Sequence, residues 1–244
     1  MEKFQEDMIV NFLNTFETDE VKRLGEKIIE DLPEYWYEEK ASSSGKYHPA
    51  YTVQRHGLFI HSMAVAQFVS YMLELEQYKE QFTPEERDGI KLGAFCHDGN
   101  KHGKESHGHT IFSHPLVMAE TIREYKAQNI ANENIIDFIA SIVETHMGEF
   151  NTNKREPNTI LPKPTTLAQQ LLHLADYLAS RKDVEIHFDG VGIEKITPDN
   201  YIFDFGRYKG ETFQYVLENK PDYLQWLKSK NYSKEPLRTF LQQV

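Results

Sequence analysis

Apolar residues recur every three or four positions along much of the chain, a spacing typical of amphipathic helices. Two such stripes lie within residues 1–32, and Met8, Phe12 and Phe16 form the first of them. Neither stripe carries residue types suited to catalysis. We therefore expect two amphipathic helices that serve packing or contacts between subunits.

The next predicted helix, over residues 58–76, carries a histidine on its apolar face. His61 shares this face with Val65, Val69 and Met72. Side chains on one helical stripe point in the same direction. We therefore predict that His61 points into the core rather than towards solvent.

A capping box at residues 83–86, with proline at the first helical position, predicts the start of a further helix. This helix runs to the pair His97-Asp98 and stops at Gly99. The pair places an imidazole nitrogen and a carboxylate at one point. A carboxylate can also bridge two metal ions, so Asp98 is the most informative single residue of the chain.

Three later helices are predicted to begin near Ser113, near Asn132 and at residue 165. Each brings one more polar group to an inward position, and these groups are His114, His146 and Asp176, in that order. A carboxylate on an apolar helix face is costly unless it is paired or bound to a metal.

Six inward histidine and aspartate residues therefore come from five helices of one predicted domain. Any one of them alone is more typical of a hydrogen-bonded core residue, but six together indicate a metal site. They are His61, His97, Asp98, His114, His146 and Asp176. Imidazole and carboxylate ligands without thiolate suit Mn, Fe, Mg, Co or Ni, and zinc stays open.

The chain from residue 198 onward follows a different pattern. A short strand at 201–203, glycines at 206 and 210, and a helix capped by Thr212 predict a small α+β module. Residues 200–244 contain seven Lys/Arg and five Asp/Glu, a net charge of +2. The other 199 residues hold 20 basic and 33 acidic side chains, a net charge of −13.

Composition narrows the class of protein. A length of 244 residues predicts one large domain, alone or with a small appendage. The net charge of −11 argues against a protein that coats nucleic acid. The single cysteine excludes a disulfide framework or a cysteine zinc site. We expect a cytoplasmic protein, because no apolar run approaches the roughly 20 residues that span a bilayer and the N-terminus lacks a signal-peptide pattern.

The order of these motifs resembles that of the HD superfamily of metal-dependent phosphohydrolases, in particular the HD domains of YhaM-like 3′-5′ exoribonucleases. The resemblance covers residues 46–183 and rests on the segments 46–50 and 57–62, the pair His97-Asp98, and the later His114-Pro115, His146 and Asp176. It implies an all-α bundle with two metal positions. The first would use His61, His97, Asp98 and Asp176; the second would share Asp98 and add His114 and His146.

Two cations about 3.5–4 Å apart can lower the pKa of a shared water enough to attack phosphorus at neutral pH. The resemblance makes Asp98 the central catalytic ligand. It also matches Lys101 to a lysine that many relatives carry, a candidate for offsetting phosphoryl charge; the alternative is a solvated loop lysine. Arg55, His56 and Lys104 are weaker candidates for substrate binding.

Residues 205–210 and 221–227 resemble the C-terminal module of exodeoxyribonuclease X-type enzymes. Basic and aromatic side chains that alternate suit phosphate contact and base stacking. We expect Arg207, Tyr208 and Lys209 to bind substrate. In contrast, Phe205, Phe213 and Trp226 are expected to fill the module's own core.

These observations predict a mainly helical protein with an HD-type domain at 1–195 and the small module at 198–244. The favoured function is hydrolysis of phosphodiester bonds in nucleic acid or oligonucleotides, with divalent metal ions, two in number, as cofactors. A nucleotide phosphohydrolase is the alternative, and a decayed metal- or nucleotide-binding regulatory module is a third. The sequence does not distinguish RNA from DNA as the substrate. It also leaves open whether the protein forms a homo-oligomer.

Overall fold

The computed structural model describes residues 1–42, 45–105, 107–184, 196–230, 232 and 236–242. The helical spacing of the sequence is realised as helices throughout these ranges. They are α1 (Lys3–Leu13), α2 (Asp19–Asp31), α3 (Glu34–Glu38), α4 (Gly57–Leu73), α5 (Glu76–Lys79), α6 (Pro84–Cys96), α7 (His114–Glu124), α8 (Glu133–Glu144), α9 (Leu167–Ala179), α10 (Phe213–Asn219), α11 (Pro221–Ser229) and α12 (Leu237–Gln242). The predicted mainly helical fold is confirmed.

Helix α6 lies at the centre of the first domain. It packs against α4, α8, α9 and α2, while α7 lies along α8. All of its residues from 87 to 96 are buried. Apolar side chains of α1 and α2, among them Leu24 and Ile28, belong to the same core. The predicted packing role of the N-terminal helices is therefore confirmed.

Glycine at position 93 brings α6 close to α8. A Cβ added at Gly93 would lie only 2.8 Å from the side chain of Ile142 on α8. Real Cβ atoms do not approach neighbours this closely, so a larger residue would push the two helices apart. The close approach brings the C-terminal end of α6, with His97 and Asp98, beside the end of α8.

The predicted helix starts are mostly confirmed by their caps. The Thr83 hydroxyl accepts a hydrogen bond from the Glu86 amide, and Glu86 completes the capping box. Asn132 accepts from the Asn134 amide and so caps α8. Ser113 occupies the cap position of α7, but its side chain makes no capping hydrogen bond.

The C-terminal module is helical, which corrects the predicted α+β architecture. Within residues 196–230, 232 and 236–242, pairing is limited to one isolated antiparallel bridge between Ile202 and Thr212. The chain turns sharply at Gly206 and Gly210, both at positive φ, and then enters α10. Too few residues remain on either side for a ladder to extend.

The module has a core of its own, separate from that of the first domain. Phe203, Phe213, Leu224 and Phe240 are among its buried members. The expectation that Trp226 fills this core is wrong, because Trp226 is 51% exposed. The predicted domain boundary at 195 lies outside the described residues, which resume at 196.

Candidate metal centre

The six predicted ligands converge from five helices, α4, α6, α7, α8 and α9, on which they lie or which they directly follow. They surround a cavity of about 220 Å³ that His61, Asp98, His114, His146 and Asp176 line. The His97 ring, fully buried behind it, lies 5.3 Å from the His61 ring and 4.8 Å from the His146 ring, between centroids.

Asp98 divides the histidines into two groups. Its Oδ1 atom lies 3.0 Å from Nε2 of His114 and 3.8 Å from Nε2 of His146. Its Oδ2 atom lies 3.5 Å from Nε2 of His97 and 3.9 Å from Nε2 of His61. Each oxygen of one carboxylate thus faces a different pair of imidazole nitrogens, which is the arrangement a bridging ligand requires.

Asp176 belongs to the group around His97. Its Oδ1 atom lies 3.1 Å from Nε2 of His61 and 3.7 Å from Nε2 of His97. Helix α9 supplies this carboxylate and α4 supplies His61, so the packing of α4 against α9 assembles the group. On the other side, the Nε2 atoms of His114 and His146 are 3.3 Å apart.

Backbone carbonyls fix which nitrogen each histidine presents. The Nδ1 atoms of His97, His114 and His146 lie 2.7–2.8 Å from the carbonyl oxygen three residues earlier. A carbonyl can only accept, so Nδ1 carries the proton in each ring. The lone pair of Nε2 then faces the cluster, as in histidines that ligate metals.

The donor set fits a divalent metal. Nε2 of His97 is buried and has no hydrogen-bond partner among the described residues, and the same holds for Nδ1 of His61. A buried polar atom without a partner is costly. A cation bound between His97, Asp98 and His146, or between His61, His97 and Asp176, would satisfy the His97 nitrogen, since the ligand atoms of each group lie within 4.8 Å of one another.

The protonation states also suit a metal. Burial favours neutral Asp98, but the Lys101 ammonium and the His97 and His114 imidazoles outweigh it and hold the pKa of Asp98 well below its usual range. Burial, together with the neighbouring His97 and His114, lowers the pKa of His146 to about 3. Ionised carboxylates and neutral imidazoles are the forms that coordinate metals.

Lys101 lies within the site. Its Nζ atom is 2.5 Å from Oδ2 of Asp98, and its side chain is only 12% exposed. The alternative of a solvated loop lysine does not fit this environment. Lys101 also lines the cavity, where its charge can act on a bound anion.

Three predicted substrate-binding residues lie away from the cavity. Arg55 forms ion pairs with Glu38 and Glu2 at 2.7 and 3.0 Å. His56 contacts the Tyr37 carbonyl oxygen, and Lys104 pairs with Glu124. All are engaged with the protein itself, and their role in substrate binding stays a prediction.

Several cavity-lining residues were missed from the sequence. They are His48, Phe150, His173, Tyr177 and Arg181, among others. His48 lies within the segment that carried the family resemblance, and its ring centroid is 5.6 Å from that of His61. Burial lowers its pKa to about 3. His173 precedes Asp176 by three residues on α9, a spacing that places both on one helix face.

His173 contacts the backbone of His146, one of the two histidines that face Oδ1 of Asp98. Its Nδ1 atom lies 2.8 Å from the carbonyl oxygen of His146, and its Nε2 atom lies 2.7 Å from Glu149. Gly148, at φ +56°, leaves room for this ring, because an added Cβ would lie 2.2 Å from it. The loop after α8 is therefore shaped around the His173 imidazole.

A second concave surface lies on the C-terminal module. Arg207, Tyr208, Lys220, Tyr223 and Trp226 line it, together with Asp222, around about 680 Å³. The Tyr223 and Trp226 rings stack with centroids 5.6 Å apart. We call this surface the module groove. Lys209 is exposed beside Tyr208 but does not line the groove.

Comparison with known families agrees with this geometry. The HD domain family matches residues 58–181, and the exodeoxyribonuclease X-like C-terminal family matches residues 203–231. A search of the curated proteins and a search of the solved structures gave no match. Among the described residues, no helix has the length and apolar character needed to cross a membrane.

The HD match covers just over half of the chain and contains the whole ligand cluster from His61 to Asp176. The chain therefore belongs to the HD-domain family of metal-dependent phosphohydrolases.

Proposed function

We propose that the protein hydrolyses phosphodiester bonds in nucleic acid or oligonucleotides and uses two divalent metal ions. The observation that carries the proposal is the position of Asp98 between two groups of imidazole nitrogens. Two-metal sites of this kind are common among enzymes that transfer or hydrolyse phosphoryl groups.

His61, His97, Asp98 and Asp176 would hold one ion, and Asp98, His114 and His146 the other. Bound cations supply Lewis acidity towards a phosphoryl oxygen and lower the pKa of a bound water. Mn, Fe, Co, Ni and Mg suit these ligands, and zinc stays open.

The protein's own groups orient the ligand nitrogens and offset negative charge on the substrate. The carbonyls behind His97, His114 and His146 keep each Nε2 atom aimed at the cluster. Lys101 holds Oδ2 of Asp98 and lines the cavity, where its ammonium group can offset charge that develops on phosphoryl oxygens. The apolar core around α6 keeps bulk water away from the back of the site.

The C-terminal module favours a polymeric substrate over a single nucleotide. It carries a net charge of +2, whereas residues 1–199 carry −13 and repel a polyanion. Its groove combines Arg207 and Lys220 with the stacked rings of Tyr223 and Trp226. Aromatic rings beside cations are typical of surfaces that bind single-stranded nucleic acid.

The cavity volume favours the alternative, a phosphohydrolase of small nucleotides. At about 220 Å³, the space beside the ligands is smaller than the roughly 300–1,000 Å³ of common small-molecule pockets. Such a space admits one phosphate group with part of its nucleotide. It admits an oligonucleotide only at one end or at an unstacked position.

A substrate screen decides between the two functions. Protein loaded separately with Mn²⁺, Co²⁺ or Mg²⁺ is incubated with single-stranded RNA, single-stranded DNA and a panel of nucleoside mono-, di- and triphosphates. We expect shortened oligonucleotides with at least one metal. Phosphate or pyrophosphate release from the nucleotide panel, with intact oligonucleotides, would favour the alternative.

A further inference from the structure

Arg181 lies at the cavity, just beyond the end of α9. Its guanidinium carbon is 4.3 Å from the ring centroid of Tyr177 and 5.2 Å from that of Tyr47. Its Nε atom lies 3.3 Å from the Tyr177 carbonyl oxygen. Two aromatic faces and one hydrogen bond therefore hold the guanidinium in place beside the metal ligands.

The charge of Arg181 is available to a ligand. Lys101 and Arg181 are the two lysine or arginine side chains that line the cavity, and Lys101 is paired with Asp98. In the described ranges, no carboxylate lies within 4.0 Å of the Arg181 guanidinium nitrogens. A planar guanidinium can donate two parallel hydrogen bonds to a phosphate. An arginine whose guanidinium is fixed by neighbouring groups therefore recognises a phosphate well.

Phe150 offers an apolar surface at the same cavity. It lines the same cavity as Arg181 and is 50% exposed. No aromatic ring of the described residues stacks on Phe150. The other residues that line the cavity include polar and charged groups. An exposed aromatic ring beside a phosphate-binding cation suits a nucleobase, because every base has a face that can stack.

We infer that Phe150 and Arg181 form a subsite for one nucleotide next to the scissile phosphodiester. The base of this nucleotide stacks on Phe150, and its other phosphate binds the Arg181 guanidinium. The inference rests on the proposed phosphodiesterase function and adds a recognition element to it. It concerns residues that neither the ligand pattern nor the C-terminal module includes.

The competing explanation for Arg181 is structural. Its side-chain hydrogen bond to the Tyr177 carbonyl oxygen supports the end of α9, which also carries Asp176. A purely structural role predicts that loss of Arg181 lowers thermal stability or metal content and affects all substrates alike. A subsite role predicts a loss that depends on whether the substrate has a second phosphate.

Four esters with the same leaving group test the subsite. They are methyl p-nitrophenyl phosphate, thymidine 5′-(p-nitrophenyl phosphate), and the latter with a 3′-phosphate, used together with its regioisomer. For Arg181→Gln, we expect the increase in KM to be about 10-fold or more greater for a bisphosphate ester than for the methyl ester. For Phe150→Leu, we expect the increase in KM to be about 5-fold or more greater for the thymidine ester, which carries a base, than for the methyl ester.

Matched variants control for charge and for apolar surface. Lys182→Gln removes the same charge from the next residue, which is exposed and does not line the cavity. Ile160→Ala removes an apolar side chain that is 69% exposed and also lies outside the cavity. Equal changes in KM across all esters for Arg181→Gln and Phe150→Leu would overturn the inference.

A binding measurement separates this inference from the proposed function. Thymidine 3′,5′-bisphosphate has no phosphodiester bond, so its affinity can be measured by calorimetry without phosphodiester cleavage. We expect Arg181→Gln to weaken binding about 10-fold or more relative to Lys182→Gln. Unchanged affinity overturns the subsite. Failure of wild-type protein to cleave any ester, with this affinity difference intact, instead overturns the phosphodiesterase function.

Discussion

The Oδ1 atom of Asp98 lies 3.0 Å from Nε2 of His114, while the other oxygen of the same carboxylate contacts Lys101. This relationship joins the end of α6 to the start of α7 and places Asp98 between two groups of histidines. It is the basis for proposing two metal positions rather than one.

Asp98→Asn should abolish metal-dependent turnover and sharply lower bound transition metal. The amide keeps the shape of the side chain but loses the charge that both metal positions share. Elemental analysis of purified protein, together with thermal unfolding, checks this. Asp88→Asn is the control, because Asp88 is a buried carboxylate within α6 that pairs with Lys91, whereas Asp98 follows the end of this helix. Equal metal in Asp98→Asn and wild type would show that the site is assigned wrongly.

Lys101→Ala should reduce turnover far more than it reduces metal content. Loss of one electrostatic donor of this kind commonly lowers the rate by ~10²–10³. Steady-state kinetics on an oligonucleotide, with metal content measured in parallel, gives the result. Lys126→Ala is the control, since Lys126 pairs with Asp137 on the surface. A wild-type rate in Lys101→Ala would limit this lysine to a structural pair with Asp98.

Metal removal should lower the thermal stability of the protein. The metal-free cluster leaves Nε2 of His97 buried without a partner among the described residues, and a ligand that binds only the folded state stabilises it by mass action. Thermal unfolding should give a higher Tm with added Mn²⁺ than in a chelator. His97→Ala should lose most of this shift. The same Tm in Mn²⁺ and in chelator would argue against metal binding at the cluster.

Loss of positive charge on the module should weaken the binding of long substrates more than that of short ones. We expect Arg207→Ala with Lys209→Ala to raise KM progressively as an oligonucleotide is lengthened, and the effect to shrink at high salt. Trp226→Ala should give a similar dependence on length through lost stacking. Lys79→Ala with Lys230→Ala removes the same charge outside the groove. Losses that do not depend on length would make the module's role structural.

Periodicity predicts the inward direction of two of the candidate ligands, because these two lie within helices. His61 and Asp176 interrupt apolar stripes of α4 and α9, so their direction follows from spacing alone. Their pairing across α4 and α9 follows from the family resemblance and not from the local pattern. The structure adds the distances that divide the cluster at Asp98.

The positions of residues outside the helical stripes are harder to predict from the sequence. Phe150 follows α8 in a loop, and Arg181 follows α9, where no period predicts which way a side chain points. Trp226 was placed in the module core, although it is 51% exposed and stacks on Tyr223. The strand predicted at 201–203 needed a partner of equal length, and the turn from Gly206 to Gly210 leaves only the bridge to Thr212.

The number of metal ions bound by wild type, His114→Ala and His146→Ala distinguishes a two-metal site from a one-metal site. Each metal-free protein is titrated with Mn²⁺ and followed by calorimetry, with His102→Ala as control because its ring stacks on Tyr35 and does not line the cavity. We expect two equivalents of Mn²⁺ for wild type and His102→Ala, and one for His114→Ala and His146→Ala. One equivalent in all four proteins would contradict a site divided by Asp98.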